Sequence, residues 1–152
     1  MHNVNAYYVI ADGGRARFVR PAEGHHFRTV RELESKHIHD RSHDLGRKPP
    51  SRVQESSSPT RHGVEPRQDP HDRAERDFAH YVAQQLNGDA DASSCDALVL
   101  AAPSHILAEL QSALSRQLQD RIVTTLAKDF TKIPDAELTK HLPQPSPTWR
   151  KS

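Results

Sequence analysis

From Ser35 to Asp69 the chain carries hardly an aliphatic residue and no aromatic one. It holds Pro49-Pro50, Glu55-Ser56-Ser57-Ser58-Pro59, Gly46, Gly63 and Pro66 instead. A stretch of that composition cannot bury enough apolar surface to offset the entropy lost on ordering, so it reads as one long loop. The apolar residues cluster on either side of it, in residues 4–33 and 74–142. The core must therefore be built from two blocks far apart in sequence. A chain of 152 residues suits one domain, here residues 1–142 with the loop at about 35–69, followed by a Pro-rich tail over 143–152. Loops of this length in compact domains are usually functional or disordered.

The first block reads as strands. Tyr7-Tyr8-Val9-Ile10-Ala11 is aromatic and β-branched, short, and stopped by Asp12-Gly13-Gly14, which predicts a buried strand over 6–11. Asp-Gly and Gly-Gly are two-residue hairpin signals, because a type I′ turn needs positive φ at both central positions. Residues 15–20 alternate Arg15, Arg17 and Arg20 with Ala16, Phe18 and Val19, and predict a second strand. Pro21 to His26, with Gly24, makes another turn, and Phe27 to Leu33 alternates again. Three strands joined by short turns make an antiparallel meander.

The second block alternates helices with strands. Asp69 suits an N-cap, Pro70 the first helical position and Asp72 the first turn of a helix. Ala74, Phe78, Val82 and Leu86 recur at i, i+4 along it, and Gly88 ends it. Asp96 to Pro103 is a continuous apolar run that predicts a strand buried on both faces. Ser104 reads as the cap of a next helix whose apolar face runs from Ile106 to Leu118. Arg121 to Asp129 predicts a fifth strand, and Pro134 to Leu142 a short last helix. Strands joined through helices run parallel with right-handed crossovers. The order predicts a three-layer α/β domain, with helices on both faces of a mixed five-stranded sheet. The first strand lies centrally, between the hairpin and the fourth strand, as in the ribonuclease H topology.

Composition excludes some classes of function. Net charge is +1, with a pI near 8.0, so the chain as a whole carries no electrostatic signature for nucleic acid. Eleven histidines raise that charge below about pH 6.5. Cys95 is the only cysteine, which rules out an intrachain disulfide and points to a reducing compartment. No apolar stretch reaches the roughly 18 residues of a membrane span. Met1 to Gly14 has no basic region before its short apolar run, so it does not read as a signal peptide. The expectation is a cytoplasmic chain without a membrane partner.

Several stretches together resemble one family. They are "YYVIADGGRARFV", "VRELES", "HDRAERDFAHYVAQQL", "DALVLAAPSHILAELQSAL" and "KDFTKIPDAELTKHL", which span roughly residues 6–142. In combination they resemble the bacterial host attachment protein family, required for attachment to host cells. That family is similar to the middle domain of archaeal and eukaryotic peptide-chain release factors and of Pelota-type ribosome rescue factors. The resemblance implies a ribonuclease H-like α/β fold. In release factors the loop after the third strand carries a Gly-Gly-Gln tip that promotes hydrolysis of peptidyl-tRNA. Here Gln54 and Gln68 have no glycine neighbours, so no catalytic glutamine carries over.

In ribonuclease H-like nucleases a first-strand aspartate helps bind two divalent ions. Asp12 would need partners from Glu32, Glu34, Asp96 or Asp129. Directly before two glycines it reads first as a turn aspartate. A phosphate cradle at Gly13-Gly14 lacks a following helix. His37, His39 and His43, with Asp40 and Asp44, have imidazole and carboxylate spacing that suits zinc or nickel. No helix fixes those rings, so no metal and no cofactor is assigned.

From Lys36 to Arg67 seven cations face four anions, a net charge of +3. A mildly basic loop of this kind can fold against RNA phosphates, although without aromatic residues it does not stack bases. The residues assigned to RNA or ribosome contact are Arg41, Arg47, Lys48, Arg52, Arg61 and Arg67, with Arg73 and Arg76 on the following helix. His80 lies near those two, and Trp149 in the tail invites a partner or a neighbouring subunit. The expectation is a non-enzymatic module that binds ribosome or tRNA. The alternatives are a metal-dependent nuclease or peptidyl-tRNA hydrolase, and a protein-interaction factor in host cell attachment.

Overall fold

The computed structural model describes residues 4–36 and 69–149. They form one α/β unit around a five-stranded mixed sheet of order β3-β2-β1-β4-β5. The strands are β1 (Ala6–Ala11), β2 (Arg15–Ala22), β3 (His26–Glu34), β4 (Ala97–Ala101) and β5 (Ile122–Leu126). β1 pairs antiparallel with β2 and parallel with β4, so the meander and the crossover units meet at the central strand. That position buries every residue of β1 and explains its unbroken apolar run.

The helices are α1 (Pro70–Asn87), α2 (Ala90–Ser93), α3 (Ser104–Ala113) and α4 (Arg116–Gln119). On one sheet face Tyr7, Val9, Phe18 and Leu100 pack against Phe78, Val82 and Leu86 of α1, Ile106 and Leu110 of α3 and Leu118 of α4. On the other, Tyr8, Ile10, Val19, Phe27 and Val99 meet Phe130, Leu138 and Leu142. The layer on this second face is the C-terminal segment. It contains a 3-10 turn over Asp135–Lys140 in place of the expected α-helix. Six residues starting just after Pro134 are too few to nucleate an α-helix, and i to i+3 bonds such as Glu137 N–H to Pro134 C=O suffice.

Four further expectations differ from the structure. The helix after β4 ends at Ala113, because Leu114 turns to extended backbone at ψ 151°. Ser115 then caps a separate turn by accepting from the Leu118 amide, and Leu118 still reaches the core. Ser104 lies inside α3 and is not its cap; Pro103 holds the cap position without a side-chain bond. The alternation of β3 does not survive its whole length either. Phe18 faces Arg31 and Val19 faces Thr29, so Val30 is an extra residue that stands 43% exposed. The bulge reverses the pleat, which sends Leu33 to the helix-covered face and Phe27 to the opposite one. β5 is also shorter than expected, because the Asp129 carboxylate accepts from the Thr131 amide and turns the chain.

The tail is part of the fold. The Tyr8 hydroxyl donates to the Pro143 carbonyl at 2.6 Å, Gln144 donates to the His25 carbonyl, and Trp149 lies 6.5 Å from the Tyr8 ring. Trp149 thus docks on its own sheet.

Candidate binding crevice

β1 and β4 end side by side, with Ile10 opposite Ala101. Beyond that point the chain leaves β1 toward β2 and leaves β4, through Pro103 and α3, toward β5. The connections diverge and open a crevice at the carboxyl ends of the parallel strands, where open α/β sheets place their ligands. Its volume is about 740 Å³, and its lining includes Asp12, Gly13, Ser35, His71, Glu75, Asp77, Pro103, His105, Asp129 and Lys132.

Asp12 makes the turn that the sequence suggests, by a different geometry. Its Oδ1 accepts the amides of Gly14 and Arg15, both at 2.8 Å, and its own amide donates to the Arg15 carbonyl. Neither Gly13 nor Gly14 takes positive φ, so the turn is not of type I′. Positive φ occurs in the β2–β3 turn, at Gly24 (72°) and His25 (65°). Gly13 is needed for close approach instead. A Cβ there would lie 2.2 Å from Glu75 Oε2.

Glu75, half-buried on α1, sits between two imidazoles. Its Oε2 lies 3.1 Å from His71 Nε2, one helical turn back, and its Oε1 lies 2.9 Å from His105 Nε2 on α3. Both rings are exposed at the rim, and the carboxylate between them ties the two helices together. The Thr131 hydroxyl, in the neighbouring cleft, lies 2.9 Å from Asp12 Oδ2 and 2.5 Å from Asp129 Oδ1. Asp12 and Asp129 therefore meet, but through a hydroxyl.

The other carboxylates considered for a nuclease centre lie elsewhere. Asp96 accepts the Asn5 amide at the amino end of β4. Glu32 and Glu34 lie in a neighbouring cleft of about 430 Å³ with Arg15, Arg17 and Lys132. Among the described residues no group of three or more His, Cys, Asp or Glu is arranged to hold a metal ion.

Of the residues assigned to RNA contact, Arg41, Arg47, Lys48, Arg52, Arg61 and Arg67 lie outside the described residues, as do the candidate metal ligands His37, His39 and His43. Arg73 is exposed on the first turns of α1. Arg76 is half-buried and lies 3.8 Å from Glu109 on α3, which His80 also meets at 3.0 Å. Arg76 is thus partly committed to holding two helices together.

Sequence reasoning missed the most deeply engaged cation. Arg17 is 8% exposed. It donates to the carbonyls of Phe130, Thr131 and Ile133 and to Asp135 Oδ1 at 2.6 Å. Asp135 also accepts the Thr29 amide and hydroxyl. Burial pushes its carboxyl up, but the Thr29 and Arg17 bonds outweigh that and hold it below the usual carboxylate range. In sequence Arg17 is one of several arginines in an alternating strand, with nothing to mark its inward direction. The His71–Glu75 spacing of i, i+4 was visible in sequence, whereas the approach of His105 needed the packing of α3 on α1.

The family described as "Protein required for attachment to host cells" has a model that matches residues 7–142. The chain belongs to this host attachment family. No curated protein matches it. The matched span runs from β1 to the end of the second core layer and so contains the whole crevice. No described helix of this family member is long and apolar enough to cross a membrane. Cys95 is fully buried, and burial pushes its thiol up, away from nucleophilic reactivity.

Proposed function

We propose that this member of the host attachment family is a non-enzymatic, cytoplasmic binding module that contacts the RNA of ribosomes or tRNA. The observation that carries the reading is where the basic segment is anchored. Ser35, just before it, and His71, just after it, both line the crevice at the carboxyl ends of β1 and β4. A segment of net charge +3, Lys36 to Arg67, therefore leaves and re-enters the fold at the place where this class of sheet binds ligands. The crevice itself mixes Asp12, Glu75, Asp77 and Asp129 with Arg15, Lys132 and two histidines, so the phosphates belong to the segment and to Arg73 at its exit. The resemblance to release-factor middle domains and their ribonuclease H-like topology points the same way. The missing Gly-Gly-Gln makes this a binder and not a hydrolase. The separation of Asp96 from Asp12 and Asp129 weighs against the nuclease alternative.

Co-sedimentation of the purified chain with bacterial ribosomes, at low and moderate salt, tests this. The expected result is binding that weakens steeply with salt and disappears when residues 40–66 are deleted. No binding at either salt overturns it, and the protein-partner reading of host attachment then takes its place.

A further inference from the structure

The charges that line the crevice are not equivalent. Asp12 and Glu75 are satisfied within the fold. Asp12 accepts the Gly14 and Arg15 amides at Oδ1 and meets the Thr131 hydroxyl at Oδ2, and Glu75 meets His71 and His105 through its two oxygens. Four other groups are left over. Asp77 and the Oδ2 atom of Asp129 have no partner among the described residues, and neither do the side chains of Arg15 and Lys132. All four residues are exposed. Arg15 and Lys132 are also the two residues that the crevice shares with the neighbouring cleft, so they mark the boundary between the two.

Two unpartnered carboxylates against two unpartnered cations leave no net demand for charge. A phosphate would gain from Arg15 and Lys132 and lose to Asp77 and Asp129. The occupant that fits is neutral, with donors together on one side and acceptors together on another. The lining between the charges is small or apolar at Gly13, Ala74, Pro103 and Ile106, and the imidazoles of His71 and His105 are exposed at the rim. Such surfaces suit the faces of a flat ring.

We propose that the crevice takes a guanine base of single-stranded RNA, an inference that rests on the proposed RNA function and names the base selected. Of the four RNA bases guanine has two adjacent donors, N1–H and N2–H2, beside two adjacent acceptors, O6 and N7. Asp77, with both oxygens unpartnered, accepts the donor pair in parallel. Arg15 and Lys132 donate to O6 and N7, the commonest specific contact that these side chains make to guanine. Adenine, cytosine and uracil each offer a carboxylate a single donor site and leave its second oxygen unpaired.

Amide NMR of the full chain titrated with guanosine, adenosine, cytidine and uridine tests this, followed by pentaribonucleotides with guanine or adenine between uracils. Guanosine is expected to move the Gly13, Gly14 and Lys132 signals and to bind about tenfold more tightly than the other three. The guanine pentamer is expected to bind more tightly still, because its phosphates meet the basic segment. Asp77→Asn and Lys132→Ala, both at exposed positions, are expected to remove the preference for guanine and leave the thermal midpoint unchanged. No binding of guanosine, equal binding of all four nucleosides, or a preference that survives both variants overturns the proposal. So does a pentamer that binds no more tightly than guanosine, which assigns the site to a free guanine compound. A chain that sediments with ribosomes but shows no guanine preference loses this inference alone. One that prefers guanine but does not sediment keeps it, and only the ribosome reading fails.

Discussion

Arg17 on β2 and Asp135 in the C-terminal segment lie 118 positions apart in sequence and meet at 2.6 Å. The same guanidinium holds three carbonyls of the chain just before Asp135. The Arg17→Ala variant strands those carbonyls as well as the carboxylate. Because Asp135 is 40% exposed, most of the loss comes from the carbonyls. Urea unfolding is expected to show stability lower by about 3 kcal/mol.

The Asp135 carboxyl is held below its ordinary value of 3.8 by Thr29 and Arg17, against the opposing effect of burial. A carboxyl depressed in the folded state adds stability above the unfolded-state value and loses it as pH falls through the folded one. The stability gap between wild type and Asp135→Asn is therefore expected to be constant at neutral and mildly acidic pH and to close below about pH 4. Parallel denaturation curves over that range measure it, and a gap that widens on acidification contradicts the assignment.

A methyl group on residue 13 would lie 2.2 Å from Glu75 Oε2, so Gly13→Ala must push the carboxylate aside. The clashing atom ends a flexible side chain, so the expected stability loss is modest, about 1 kcal/mol. The histidine side-chain NMR signals of His71 and His105 are expected to move in Gly13→Ala as they do in Glu75→Gln. Unmoved signals would mean that Glu75 does not hold those rings in solution.

Trp149 is the only tryptophan and lies half-buried on Tyr8. Its emission is expected to shift red in one step with far-UV circular dichroism on unfolding, as for a tail that melts with the domain. Tyr8→Phe, which removes the bond to Pro143, is expected to cost about 1 kcal/mol and to redden native emission.

Cys95 is expected to resist a thiol reagent in the native chain and to react at the rate of global unfolding, since it is fully buried and its thiol is pushed up by burial. Reaction within mixing time would contradict its place in the core.

Much of the architecture was legible because it depends on local patterns. The apolar run at Tyr7 to Ala11 and the run from Ala97 to Ala102 have the composition of strands buried on both faces, and both are. Asp69, Pro70 and the i, i+4 series of Phe78, Val82 and Leu86 delimit α1 as expected. The misses have local causes as well. The bulge at Val30 changes the pleat without any glycine or proline to announce it. Leu118 lies on the expected face although the helix beneath it is broken, because Ser115 competes for the backbone as a cap. At the crevice Asp12 was legible as a turn residue, but the positive φ expected of its glycines lies in the next turn.

The sequence by itself determined the two apolar blocks, the polar segment between them, the order of strands and helices and the central place of β1. These follow from periodicity and composition, which act between neighbours along the chain. Only the tertiary structure decided that Arg17 turns inward to hold the C-terminal layer, that Glu75 lies between His71 and His105, and that Trp149 returns to Tyr8. Arg17 and Asp135, Glu75 and His105, and Tyr8 and Trp149 are groups tens of residues apart, and the energy of each pairing depends on distance and burial, which no local pattern records.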